Sequence, residues 1–290
     1  MAACAGRVRW RWLLAALPAL ACADAAAQTP GALVVTGAEA TAWVGGFMWP
    51  FVRISALMFA APLFGNVSVP VRVRVLLAAA LTVAIMPAVG EVPAVGALSA
   101  EALLIAVHQV IIGVAMGLLV ATAFQTVVIA GESVALTMGL GFATMVDPQS
   151  GVAVPVLSQF LLVVVTLLFL AMGGHLMIVQ LLAESFTRLP IAATGIGADG
   201  YFRVVAWGAE MYAGAVLIAL PALALLLVVN MIIGVMTRTA PQMNIFSVGF
   251  PLTLLVGFVA VLTLVLPSLP TRMTEIWRLA FEAVRRVLGG

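Results

Sequence analysis

Apolar residues dominate six stretches of this chain, and short polar or turn-forming links separate them. The stretches are Trp43 to Phe64, Val75 to Val89, Ala102 to Ala130, Ala153 to Ala183, Val204 to Met236 and Met243 to Leu266. A helix needs about 20 predominantly apolar residues to cross the hydrocarbon of a bilayer. The pattern therefore predicts an all-α membrane protein of about six long hydrophobic helices. The second stretch is short for a lone span and calls for a tilted or partner-buried position. Gly65 to Pro70 is a tight link, Pro87, Gly90 and Pro93 break the chain after the second stretch, and Pro190 to Gly200 is the best boundary between two halves. Thr237 to Asn244 joins the last two stretches as a polar hairpin turn, with Pro241 near the start of the second helix.

Composition agrees with the pattern. Of 290 residues 64% are hydrophobic and 8% charged, and the mean hydropathy is +1.25. A soluble domain carries about 25% charged residues, so a water-soluble enzyme and a disordered chain are both excluded. The surplus apolar surface must meet lipid or partner subunits.

The first residues stand apart. Arg7, Arg9 and Arg11 precede the apolar run Trp12 to Ala23 and the small residues Ala25-Ala26-Ala27, the layout of a secretory signal peptide. A translation start at Val34 or Val35 accounts equally well for residues 1–35 as an extension in front of the working chain. Cys4 and Cys22, the only cysteines, both lie there, so disulfide, iron–sulfur and thiol chemistry are not expected in the body. Removing Arg7, Arg9, Arg11 and Asp24 leaves ten arginines against ten acids. No electrostatic footprint for nucleic acid remains. Counting arginines near helix ends puts Arg188, Arg203 and the four of the C-terminal tail on one side, against Arg72, Arg74 and Arg238 on the other. That favours a cytoplasmic C-terminus, which conflicts with a cleaved signal peptide and an even number of spans.

Polar side chains inside the apolar stretches are costly and face protein or water. They are Arg53, His108, Gln109, Gln125, Gln159, His175, Gln180, Glu210 and Asn230, with Glu132 at an edge. Helix–helix hydrogen bonding is the commonest use of such residues. The two histidines sit on different helices without metal-ligand spacing. Ser133 and Ser158 lack an obvious base, and no phosphate-binding glycine loop occurs. No enzyme and no cofactor are expected.

Residues 131–151, GESVALTMGLGFATMVDPQSG, are too apolar for a loop and too interrupted for a span. On a continuous helix Met138, Phe142 and Met145 fall at i, i+4 and i+7, one face on which flexible thioethers and an aromatic ring can form a deformable constriction. The same residues would also fill a helix-packing gap. Gly139 and Gly141 weaken helix propensity there.

Four ordered blocks carry a resemblance: WPFVRISALMFAAPLFGNVSVPVRVRV at Trp49 to Val75, the 131–151 segment, GGHLMIVQLLAESFTRLPI at Gly173 to Ile191, and TRTAPQMNIFSVGFP at Thr237 to Pro251. Together they resemble the FliR/SctT family of type III secretion export-gate subunits, co-linearly over most of residues 36–285. The resemblance implies a FliP-like helical part over 36–200 and a FliQ-like helical hairpin with a tail over 201–290. It implies assembly with FliP and FliQ homologues in a hetero-oligomeric ring, with an FlhB homologue attached, in the bacterial inner membrane at the flagellar basal body. Unfolded flagellar polypeptides would pass through the ring. It also implies a start close to Glu39, favouring an extension over a signal peptide. For 131–151 it implies a loop at the closed pore: Met138, Phe142 and Met145 as apolar seal, Gly139 and Gly141 permitting movement, and Asp147-Pro148 ending the segment. Arg53, Glu132, Glu210, Arg238, Gln242 and Asn244 are the expected intramembrane polar or assembly residues. Alternatives are an injectisome subunit of the same family and a six-helix small-molecule transporter, with Arg53, Glu132 or Glu210 as charged partner of a solute.

Overall fold

A computed structural model describes residues 37–65, 69–90, 92–93, 95, 99–141, 155–240 and 248–289. Two compact units are delimited, Met1–Ala40 and Thr41–Gly290. Of the first, only the opening turn of a helix is described, so the fold below is that of the second. The elements are α1 (Gly37–Ala60), α2 (Val71–Ile85) with a 3-10 turn at Met86–Ala88, α3 (Ala100–Thr137), α4 (Val156–Ala171), α5 (Gly174–Arg188) and α6 (Ala198–Thr239). The last helix, α7 (Phe250–Leu288), is continuous but contains a π-helical turn at Val261–Val265.

Among the described residues four helices are long and apolar enough to cross a membrane: Val71–Ala88, α3, α6 and α7. A fifth span exists if α4 and α5 count together, and the apolar part of α1, Gly45–Ala60, is shorter. The fourth apolar stretch is not one straight helix but is bent by 67° between α4 and α5. The bend has a local cause. Gly173 adopts φ +73°, a left-handed conformation that only glycine enters without strain. At Gly174 a Cβ would lie 2.3 Å from Cε2 of Phe169, so the ring folds over bare backbone.

Chain ends and breaks follow ordinary capping chemistry. Ser99 Oγ accepts the Ala102 N–H at 3.1 Å and Glu101 lies in the first turn, so α3 begins with a side-chain cap and a favourable charge at the positive end of the helix dipole. In α7 the Leu266 N–H reaches back five residues to the Val261 carbonyl. The extra residue falls immediately before Pro267, which has no N–H to donate and crowds the preceding turn.

The core is built around α3, which packs most extensively on α6 and α4 and also on α7. Phe169 is its aromatic centre, with ring centroids 5.2 Å from Phe124, 4.9 Å from Trp277 and 6.5 Å from Phe281. The C-terminal half of α7 is amphipathic. Leu269, Met273, Trp277, Ala280, Phe281 and Val284 are buried, while Arg278 forms ion pairs with Glu275 and Glu282 on the outer face. Outside the core, large apolar residues stay exposed along α6, among them Phe202, Val205, Tyr212, Leu227, Met231 and Val235. α6 has 42 residues and is therefore about 63 Å long, roughly twice the hydrocarbon thickness.

Candidate functional site

Arg53 is completely buried and, among the described residues, is held without any carboxylate. Its Nε donates to Gln109 Oε1 at 2.7 Å, Nη1 to Ser185 O at 3.0 Å and Ser185 Oγ at 3.2 Å, and Nη2 to Leu189 O at 3.0 Å. The guanidinium carbon lies 4.4 Å from the Phe186 ring centroid, close enough for a cation–π attraction. Four of the five N–H groups of an arginine are thus spent on protein acceptors. The side chain starts on α1, crosses α3 and seizes the C-terminal end of α5, where Ser185 O also accepts the Leu189 N–H and Leu189 O lies just past the last turn. Arg53 is a clamp between three elements. It leaves almost no donor for a solute, which removes it as the charged partner a transporter would need.

The clamp requires α1 and α3 to lie unusually close. At Gly113 a Cβ would fall 2.4 Å from Arg53 O, and at Gly117 2.5 Å from Ala60 Cβ. These two glycines, four apart on one face of α3, form the small-xxx-small pattern that lets helices touch backbone to backbone. Gly131, further along α3, similarly meets Ser158 Cα of α4 at 2.9 Å.

At the other end of α3 lie the expected seal residues. Met138 N–H bonds to Val134 O, Gly139 N–H to Leu136 O and Leu140 N–H to Ala135 O. With Gly139 at φ +84° this is a Schellman ending. α3 stops at Thr137, so the helix does not run on unbroken through Met138 and Gly139. The stop of α3 is made at Gly139. Phe142, Met145, Asp147 and Pro148 lie outside the described residues. Met138 is 1% exposed, and its side chain rests on Gly257 of α7, where a Cβ would come within 2.5 Å of Met138 Cγ and 2.7 Å of Sδ. Gly141 borders Leu136, whose Cδ2 would be 2.7 Å from an added Cβ.

The remaining expected residues are dispersed. Glu132 on α3 is half-buried, and Glu210 on α6 is exposed. Glu210 lines a groove of about 680 Å³ between α6 and α7, with Trp207, Arg272, Glu275 and Leu279. Arg238 is exposed in the last turn of α6, while Gln242 and Asn244 lie outside the described residues. Asn230, expected as a polar contact, brings Nδ2 to 3.5 Å from Thr137 O. His108 on α3 packs against Gly195, and His175 sits on α5.

Arginines gather at one end: Arg285 pairs with Glu184 at 3.0 Å, Arg203 donates to Arg286 O at 2.8 Å, and Arg188 approaches Gly289. Three of the elements counted together by charge therefore do share an end. Sequence reasoning missed Ser185, Leu189 and Gly257. A buried arginine without an acid nearby was the one available signal for the first two, and nothing local marks the third.

The sequence profile described as "Bacterial export proteins, family 1" matches residues 44–280. The protein named "Flagellar biosynthetic protein FliR" in Escherichia coli (strain K12) is 37% identical over 257 residues, covering 87% of this chain and 97% of that protein. Its namesake in Pectobacterium carotovorum is 37% identical over 246 residues, 85% and 94% of the two chains. The Bacillus subtilis (strain 168) protein of the same name is 28% identical over 246 residues, 83% and 94% of the two.

Proposed function

The chain belongs to the bacterial export proteins, family 1, and from that premise we propose that it works as a non-enzymatic pore subunit. It is a flagellar type III export-gate subunit in the inner membrane, at the flagellar basal body. The observation that carries this reading is co-linear similarity over nearly the whole length of relatives bearing one flagellar name. The same names favour the flagellum over the injectisome.

In the proposed assembly, residues 36–200 take the place of a FliP-like subunit and 201–290 that of a FliQ-like hairpin, beside FliP, FliQ and FlhB homologues. The long α6–α7 hairpin supports this, because its exposed apolar face runs well beyond the hydrocarbon thickness and needs protein as well as lipid to cover it. Segment 131–151 limits ion leakage until a translocating polypeptide displaces its apolar side chains. The Arg53 clamp and the glycine contact at Gly113 and Gly117 hold the scaffold rigid behind it. The chain needs no cofactor in this role, and its work is positional.

Purification in mild detergent from the native operon tests the assembly. FliP and FliQ homologues should accompany the chain. A stable monomer or homodimer that binds a small solute would defeat the reading in favour of a transporter. Changing Phe142 and Met145 together to Ala, with Met138 left in its seat on Gly257, tests the seal: ion leak through the assembled gate should rise, and unaltered leak removes the seal assignment.

A further inference from the structure

The seat of Met138 on α7 carries a consequence beyond sealing. Its Cγ, Sδ and Cε would all lie within 2.7 Å of a Cβ at position 257, the closest being 2.5 Å. The pocket therefore exists only because residue 257 is glycine. The side chain is 1% exposed, so it is a buried peg and has no free surface. It is also the C-cap residue of α3, followed at once by the left-handed Gly139. Any displacement of the peg is thus delivered directly to the helix end. A second contact reinforces the joint, since Asn230 of α6 lies 3.5 Å from the Thr137 carbonyl. Both helices of the C-terminal hairpin therefore touch the last residues of α3.

α7 is mechanically weak next to this seat. The Val261 N–H still reaches Gly257 O, but the π-helical turn starts at Val261. Such turns are uncommon in helices and are found where they bend or act. A thioether suits a joint of this kind, being unbranched and polarizable enough to leave and re-enter a shallow seat. We propose that Met138 is a positioning residue: a size-matched peg through which the α6–α7 hairpin sets the position of the α3 end, released when the hairpin shifts during export. This rests on the gate reading of segment 131–151, which the change of Phe142 and Met145 to Ala tests separately.

The test is a size-compensation experiment in the full chain within its assembled complex. Gly257→Ala should displace the peg and raise ion leak severalfold at unchanged complex abundance. Adding Met138→Ala should bring the leak back toward the wild-type level, because the smaller side chain vacates the space the new methyl occupies. A Gly257→Ala variant that behaves as wild type, or a double variant no better than the single, overturns the proposal. Should Gly257→Ala fail to assemble, a cysteine pair decides. The chain holds no cysteine besides Cys4 and Cys22, so Met138→Cys with Gly257→Cys, in a chain carrying Cys4→Ser and Cys22→Ser, gives one possible internal cross-link. Oxidation should stop export and reductant should restore it. Full export by the cross-linked chain overturns the proposal.

Discussion

Replacing Arg53 by Met keeps the apolar stem of the side chain and removes every side-chain donor. Its acceptors then fare differently. Ser185 O retains the Leu189 N–H at 3.0 Å, and Ser185 Oγ still donates to Leu182 O at 2.7 Å. Leu189 O and Gln109 Oε1 lose the bonds that Arg53 gives them. A stranded buried acceptor costs about 1–3 kcal/mol, so the two together cost roughly 2–6 kcal/mol, and the lost cation–π contact adds about 1 kcal/mol. Relief from burying a charge offsets part of this, leaving a net loss of about 3 kcal/mol. A loss of that size lowers the melting temperature by roughly 10 °C. Thermal scanning of the detergent-purified complex reads it directly. The decisive comparison is Arg53→Met with Gln109→Leu, which removes one stranded acceptor and also the Gln109 Nε2 that has no partner within the described residues. The pair should be milder than the sum of the singles by about 1–3 kcal/mol. Strict additivity, or an unchanged melting temperature in Arg53→Met, would refute the clamp.

Four further outcomes follow from the packing. Gly117→Val should push α1 from α3, since even a Cβ meets Ala60 Cβ at 2.5 Å; a loss of about 1–3 kcal/mol or more is expected, read as lower thermal stability. Gly46→Ala on α1, with nothing within 4 Å, should be neutral or slightly stabilising in the same assay. Gly139→Ala places a side chain at φ +84°, costing about 1–2 kcal/mol at the α3 end, and should raise protease sensitivity there without dissociating the complex. Phe169→Ala removes the ring shared by α3, α4 and α7 and should cost about 3–5 kcal/mol, seen as a collapse in the yield of folded chain.

Helix existence was legible wherever apolar runs were long, because burial and lipid contact both select apolar residues and hydropathy registers either. What hydropathy cannot register is a dihedral angle. Ala153 to Ala183 reads as one stretch, yet Gly173 at φ +73° and the Phe169 ring over Gly174 divide it. The Gly-Gly pair was visible, but only a partner ring from a folded core turns it into an elbow. The same limit applies at the α3 end, where Gly139 was noted as a weak helix former and its work as a Schellman stop depends on three specific hydrogen bonds. Arg53 stood out by its cost in an apolar helix, whereas Ser185 and Leu189, more than 130 residues away, are backbone acceptors that any residue type supplies. Gly257 is the least legible of all. It matters because Met138, far off in sequence, needs the space, and no local pattern encodes that.

The claim that this chain is a flagellar export-gate subunit is tested most directly by measuring export. Deleting the coding sequence in frame and assaying the medium for flagellar hook and filament proteins should show their loss, with secretion regained when the wild-type chain is supplied from a plasmid. Undiminished flagellar secretion in the deletion strain would contradict the account.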